Sequence, residues 1–170
     1  MRVVVVTAAL FGAACRPTSV PAPQPVVRQP QLVPAPVSIS YTTGAPFTLQ
    51  RTSNIVVDAG NPEATAIAEM LGALIRPPTG YAANVVSGPA AAGSIILRLN
   101  AGNPTLGDEG YQLTVTADSV RVSANQPAGL FHGIQTIRQL LPVEIESEMG
   151  VDRNQWTIPA LNITDYPRFV

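Results

Sequence analysis

Lysine is absent from this chain, and cysteine, histidine and tryptophan occur once each. All ten basic residues are arginines, scattered singly, and against eleven acidic residues they leave a formal net charge of −1. No basic stripe exists to neutralise a phosphate backbone, so no nucleic-acid partner is expected. The lone Cys15 cannot close an internal disulfide. One cysteine and one distant histidine also leave too few ligands for a structural zinc site, and neither metal nor cofactor is expected. Charged residues make up only 12% of the chain, about half the usual share. Aromatics, at 5%, supply few platforms on which a sugar ring could stack. No apolar run approaches the ~20 residues that a membrane-spanning helix needs. Hydrophobic residues nevertheless form 46% of the 170, enough for one domain with a core of moderate size.

What is present begins with a targeting pattern. Arg2 precedes an apolar run over residues 3–14, which suits the h-region of a secretory signal. Gly12, Ala13 and Ala14 then lead into Cys15, an order similar to bacterial lipoprotein signals, in which the cysteine becomes the lipidated first residue. Gly12 stands where such signals usually carry leucine, so an ordinary signal cut after Ala14 is the alternative. Residues 1–15 are therefore read as a lipoprotein-like signal with Cys15 as the lipidation site. That reading implies a membrane contact through the lipid, and a secreted or membrane-anchored protein of the periplasm or cell surface. Seven of the 17 prolines fall within residues 16–36. Residues 16–30 lack apolar periodicity and read as a polyproline-like tether. At ~3.1 Å per residue it would reach about 45 Å.

The folded part is expected over residues 31–165. Val37 and Ile39 alternate with serines, and Phe47-Thr48-Leu49 and Asn54-Ile55-Val56-Val57 are short strand candidates. Asn61, Pro62 and Glu63 are N-cap, first-turn proline and dipole-compatible acid of a helix. Its apolar face is read as Ile67, Met70, Leu71, Leu74 and Ile75, with Pro77-Pro78 ending it near Arg76. Gly80 to Val86 is a loop leading into a short strand, and residues 94–99 are a strand rich in β-branched residues. Tyr111, Leu113 and Val115 alternate with polar residues, as do Val120, Val122 and Ala124 after a turn at Asp118-Ser119, which reads as a hairpin. A second helix runs from about Pro127 to Leu141 with Leu130, Ile134, Ile137 and Leu141 on one face. Gly129 and Gly133 cost the helix ~1 kcal/mol each relative to alanine, which implies a close approach of its backbone to the sheet. Residues 156–164 form a last strand. The order β-β-β-α-β-β-β-β-α-β predicts an α+β fold, a twisted and mainly antiparallel sheet with two helices packed on one face.

Four segments carry a resemblance: L-V-P-A-P-V near residue 32, G-D-E-G-Y-Q-L-T-V, A-G-L-F-H-G-I-Q-T-I-R-Q-L-L-P, and W-T-I-P-A-L-N-I-T-D-Y-P-R-F. In this order they resemble the non-catalytic N-terminal domain of family 20 glycoside hydrolases, the β-N-acetylhexosaminidases. The resemblance implies that chemistry belongs to a separate (β/α)8 barrel. There an Asp-Glu pair assists attack by the substrate's own 2-acetamido oxygen to release terminal N-acetylhexosamine. A barrel of that kind takes about 250 residues, and residues 166–170 resemble the start of the linker into it. The expectation is thus a fragment inactive alone, whose partner is the (β/α)8 catalytic barrel if one is encoded downstream. It carries an exposed apolar patch near Trp156 to Phe169 where that barrel would pack. Alternatives are a surface-anchored module that binds glycan or protein, and an accessory domain of another glycosidase.

No residue is assigned a catalytic role. Asp108-Glu109 imitates a catalytic pair but lies in a loop ahead of a strand, and is read as solvated charge. Glu144, Glu146 and Glu148 are read the same way. His132, where the family more often has an aromatic residue, is read as a packed or half-exposed ring rather than a ligand.

Overall fold

The computed structural model describes residues 31–168, so the signal and tether readings, Cys15 included, lie outside the described residues, as do Phe169 and Val170. The described chain forms β1 (Ser38–Tyr41), β2 (Phe47–Leu49), β3 (Ile55–Val57), α1 (Pro62–Thr79), β4 (Val85–Ser87), β5 (Ser94–Leu99), β6 (Tyr111–Val115), β7 (Ser119–Ala124), α2 (Pro127–Leu140), β8 (Trp156–Ile158) and β9 (Leu161–Asp165). The expected α+β order holds with one change. The last strand is two strands, which pair in different sheets. The break falls at Pro159, which has no N–H to give to a ladder.

A seven-stranded sheet runs β1-β9-β6-β7-β5-β3-β4, and β2 pairs with β8 in a small second sheet. Four of the seven pairings are antiparallel, a majority of one, and the β7-β5, β5-β3 and β3-β4 pairings are parallel. The two halves differ in sequence for a physical reason. In the antiparallel half, β6 alternates buried Tyr111, Leu113 and Val115 with exposed Gln112 and Thr114. In the parallel half, β3 is buried throughout as Ile55-Val56-Val57, and β5 is buried from Ser94 to Leu97.

Both helices cover the same sheet face and touch each other. The row Ile39, Ile163, Leu113, Val122 and Leu97 runs across five strands beneath them. On the opposite face, Ser40, Asn162, Thr114 and Arg121 form a polar row across four strands, and all four are exposed. The core is one contiguous cluster that also takes in Phe47, Leu49, Trp156 and Ile158 of the small sheet.

Helix α1 begins as expected, with the Asn61 side chain accepting the Ala64 N–H at 2.8 Å. Asn61→Ala is therefore expected to cost about 1 kcal/mol, seen as a lower urea midpoint at an unchanged slope. The helix does not stop at Arg76 but continues through Pro77 and Pro78 to Thr79. A proline φ suits a helix, and this close to the end only two carbonyls, those of Ala73 and Leu74, lose an N–H partner. The last turn is closed instead by the Gly80 N–H on the Arg76 carbonyl, with Gly80 left-handed at φ 67°, and by the Thr79 hydroxyl on the Ile75 carbonyl. Its buried stripe is Ala64, Ile67, Ala68, Leu71, Ile75 and Pro78. Met70, expected in that stripe, is half exposed, because at helical spacing it falls beyond the Ile67 edge of the buried arc. The β6-β7 turn also sits one residue earlier than expected, at Ala117-Asp118, closed by the Thr116 N–H on the Ser119 carbonyl at 2.9 Å.

Candidate functional site

Among the described residues, a cavity of about 550 Å³ opens where the ends of the domain meet. Its chemistry-bearing lining is Glu109, Tyr111, His132, Asp165, Tyr166 and Arg168. The segment ahead of β1 separates it from a second groove of about 300 Å³, which shares Tyr111, His132 and Asp165 as walls. The fold assembles this corner from the start of β6, the first turns of α2 and the end of β9.

Half of these six side chains, Tyr111, Asp165 and Arg168, are engaged in hydrogen bonds. The Tyr111 hydroxyl and the Thr136 hydroxyl share a buried hydrogen bond of 2.6 Å. Burial is the main cause that pushes the Tyr111 hydroxyl pKa up, and the nearby Asp165 adds to it against the Thr136 bond. Asp165 accepts the Val37 N–H at 3.1 Å, and the Arg168 guanidinium donates to the Ala35 carbonyl. His132 is exposed, and its ring meets Phe131 edge-on with centroids 6.0 Å apart. No group of three or more His, Cys, Asp or Glu is placed to hold a metal ion among the described residues. This corner supplies contacts between distant segments.

Of the remaining sequence candidates only Glu109 reaches the cavity wall. Asp108 and Glu109 are exposed, in the turn that follows a short 3-10 segment at Pro104–Leu106. Glu144 pairs with Arg153 at 2.9 Å. Glu146 makes a two-pronged pair with Arg138 across the end of α2. Those hydrogen bonds hold the Glu146 carboxyl below its usual range, so the pair's contribution is present at neutral pH and fades as pH falls through the lowered pKa. Both side chains are over two-fifths exposed, which keeps that contribution within the 0–1 kcal/mol of a surface pair. Glu148 is exposed.

The apolar patch expected near Trp156 to Phe169 is absent among the described residues of that segment. Trp156, Ile158, Leu161 and Ile163 all point into the domain's own core. The exposed large apolar side chains include Met70 on α1, Phe131 on α2, and Val143 and Met149 in the connection after α2. None of the described helices is long and apolar enough to cross a membrane. Sequence reasoning missed Gln139 and Asp165, whose partners lie 106 and 128 residues away.

Comparison with known proteins accounts for this arrangement. Residues 29–166 match the family model described as Glycosyl hydrolase family 20, domain 2. A β-N-acetylhexosaminidase of Cellulomonas fimi is 33% identical over 139 residues, which are 81% of this chain and 26% of that protein. A β-hexosaminidase of Porphyromonas gingivalis is 29% identical over 139 residues, 17% of its length. Among solved structures, the family 20 β-N-acetylhexosaminidase of Streptomyces coelicolor A3(2) superposes with a TM-score of 0.74 at 39% identity, covering 81% of this chain and 26% of that one. The N-acetyl-β-hexosaminidase of Streptomyces plicatus, in complex with Thio-NAglucal, gives 0.73 at 40% identity with the same coverage. This chain therefore spans about a quarter or less of the length of the curated relatives it matches. It belongs to the family 20 glycoside hydrolases, as their non-catalytic accessory domain, domain 2 of the family model.

Proposed function

We propose that this domain serves a β-N-acetylhexosaminidase as the platform on which the catalytic barrel is seated, and that it does not itself cut the glycosidic bond. The observation that carries this reading is the match of residues 29–166 to domain 2 of the family, in a chain that spans about a quarter of the length of its relatives. Large apolar side chains are exposed on both sides of the sheet, Met70 and Phe131 on the helix layer and Val86 on the face that carries the polar row of Ser40, Asn162, Thr114 and Arg121, and such side chains gain from being covered. The relatives' greater length supports a covering partner in the rest of such an enzyme. The family match, which falls on domain 2, supports the non-catalytic part of the reading. Incubation of the purified chain with a chromogenic N-acetylglucosaminide is expected to release no product above buffer, and clear turnover would refute the reading.

The sequence of residues 1–30 supports a second proposal, that Cys15 carries a lipid and a tether holds the domain near a membrane surface. Metabolic labelling with a palmitate analogue is expected to mark the wild type and not Cys15→Ser. Equal labelling of both would end the idea.

A further inference from the structure

We propose that residues 32–37 form a latch that opens and closes as one unit across the two ends of the domain. This strap has no sheet ladder of its own, since β1 begins only at Ser38. It is held by side chains of two other elements. The Val33 N–H donates to Gln139 Oε1 at 2.9 Å, and Gln139 Nε2 donates back to the Val33 carbonyl at 3.1 Å, so one side-chain amide pairs with the backbone as a neighbouring strand would. Four residues on, the Val37 N–H donates to Asp165 Oδ1 at 3.1 Å, and between them the Arg168 guanidinium donates to the Ala35 carbonyl. Leu32 is the apolar pin, partly buried against the core.

Three features make this a unit rather than a fraying end. Pro34 and Pro36 fix φ at alternate positions, so the strap has few conformations to gain on release and moves as a stiff piece. Its bonds are solvent-exposed, which places their opening at the low end of the local stability range. Beneath it lies the groove of about 300 Å³, lined by Leu32 and Val33 on the strap side and by Tyr111, His132, Gln135 and Thr136 below. Release of the strap unroofs that groove while the sheet ladders stay intact. Its partners are α2, the last residue of β9 and Arg168 beyond it. A displacement of the chain ahead of residue 32 is thereby transmitted to residues 165–168.

Amide hydrogen exchange on the full chain, read residue by residue, tests this. In the wild type, the Val33 and Val37 amides are expected to exchange roughly 100-fold or more faster than the ladder amides of β6 and β7. Gln139→Ala removes the Val33 contact, so faster exchange at Val33 is trivial. The diagnostic site is Val37, whose own partner is untouched. Its exchange is expected to rise roughly tenfold, with β6 and β7 unchanged. Asp165→Ala is expected to act reciprocally on Val33. Gln139→Glu keeps the acceptor for the Val33 N–H and is expected to give a smaller rise at Val37 than alanine does. A Val37 rate that ignores Gln139→Ala would overturn the proposal, as would strap amides that exchange only at the rate of β6 and β7.

Discussion

Gly129→Ala is expected to destabilise the domain by about 3 kcal/mol or more, although alanine is the better helix former by ~1 kcal/mol. The reason lies in what a single added methyl would meet. A Cβ at Gly129 would sit 2.3 Å from the Gly110 carbonyl oxygen and 2.8 Å from the Ala124 Cβ. Both neighbours are fixed. One is backbone at the mouth of β6, and the other is the last residue of β7, held on both sides by its ladders. Relief requires α2 to lift from the sheet. That would loosen Leu130 and Ile137, both of them fully buried. Interiors packed to crystal-like density cannot absorb such a shift locally. Gly133→Ala meets a softer obstacle, the Val122 Cγ1 at 2.3 Å. Its cost is expected to fall when Val122→Ala is added, a coupling that Gly129→Ala does not show. Urea midpoints of the three single variants and the two doubles decide the matter. Gly129→Ala within about 0.5 kcal/mol of wild type would show that α2 is not seated as described.

That pair of glycines was readable in the sequence because they carry a local penalty with no local compensation. The same logic exposed Asn61 and Pro62, whose effects stay within one helical turn. Where the reading went astray, the deciding partner was distant. The runs Ile55-Val56-Val57 and Ile95-Ile96-Leu97 bear the continuous hydrophobicity of strands buried on both faces. Nothing local says that β5 lies between β3 and β7, so the parallel half of the sheet stayed hidden behind the clear β6-β7 alternation. Met70 has helix spacing suited to an apolar stripe, but the buried arc is centred on the side of Ala64, Ala68, Leu71 and Ile75 and leaves Met70 beyond its edge. The candidate site was the least legible part. Gln139 looks like any exposed helix residue until the chain returns Val33 to it across more than 100 positions. Family resemblance placed the domain without revealing that corner, because its motifs report packing and not the contacts of a polar side chain.

Trp156→Ala is expected to cost about 3–5 kcal/mol, the range for removing a large buried side chain without collapse of the site around it. Trp156 is only 1% exposed and stands opposite Leu49 in the small β2-β8 sheet, with Phe47 and Ile158 completing that buried layer. The Arg153 guanidinium lies over its ring, 5.8 Å from the centroid, so one face of the ring is also covered. A two-stranded sheet is marginal by itself, and this one persists because its apolar face closes the end of the main core. Loss of the indole therefore removes the reason for β2 and β8 to pair. Against a total stability of 5–15 kcal/mol typical of native domains, the variant would lie close to its unfolding threshold at 37 °C. Trp156 is the chain's single tryptophan, so the unfolding curve must be followed by far-ultraviolet circular dichroism instead of fluorescence. Trp156→Phe, which keeps most of the volume, should recover more than half of the loss. The measurement also decides between two roles for the C-terminal segment. An outward-facing tryptophan waiting for a partner would leave stability within about 0.5 kcal/mol of wild type when truncated. A loss of several kcal/mol instead makes residues 156–163 part of the domain's own interior.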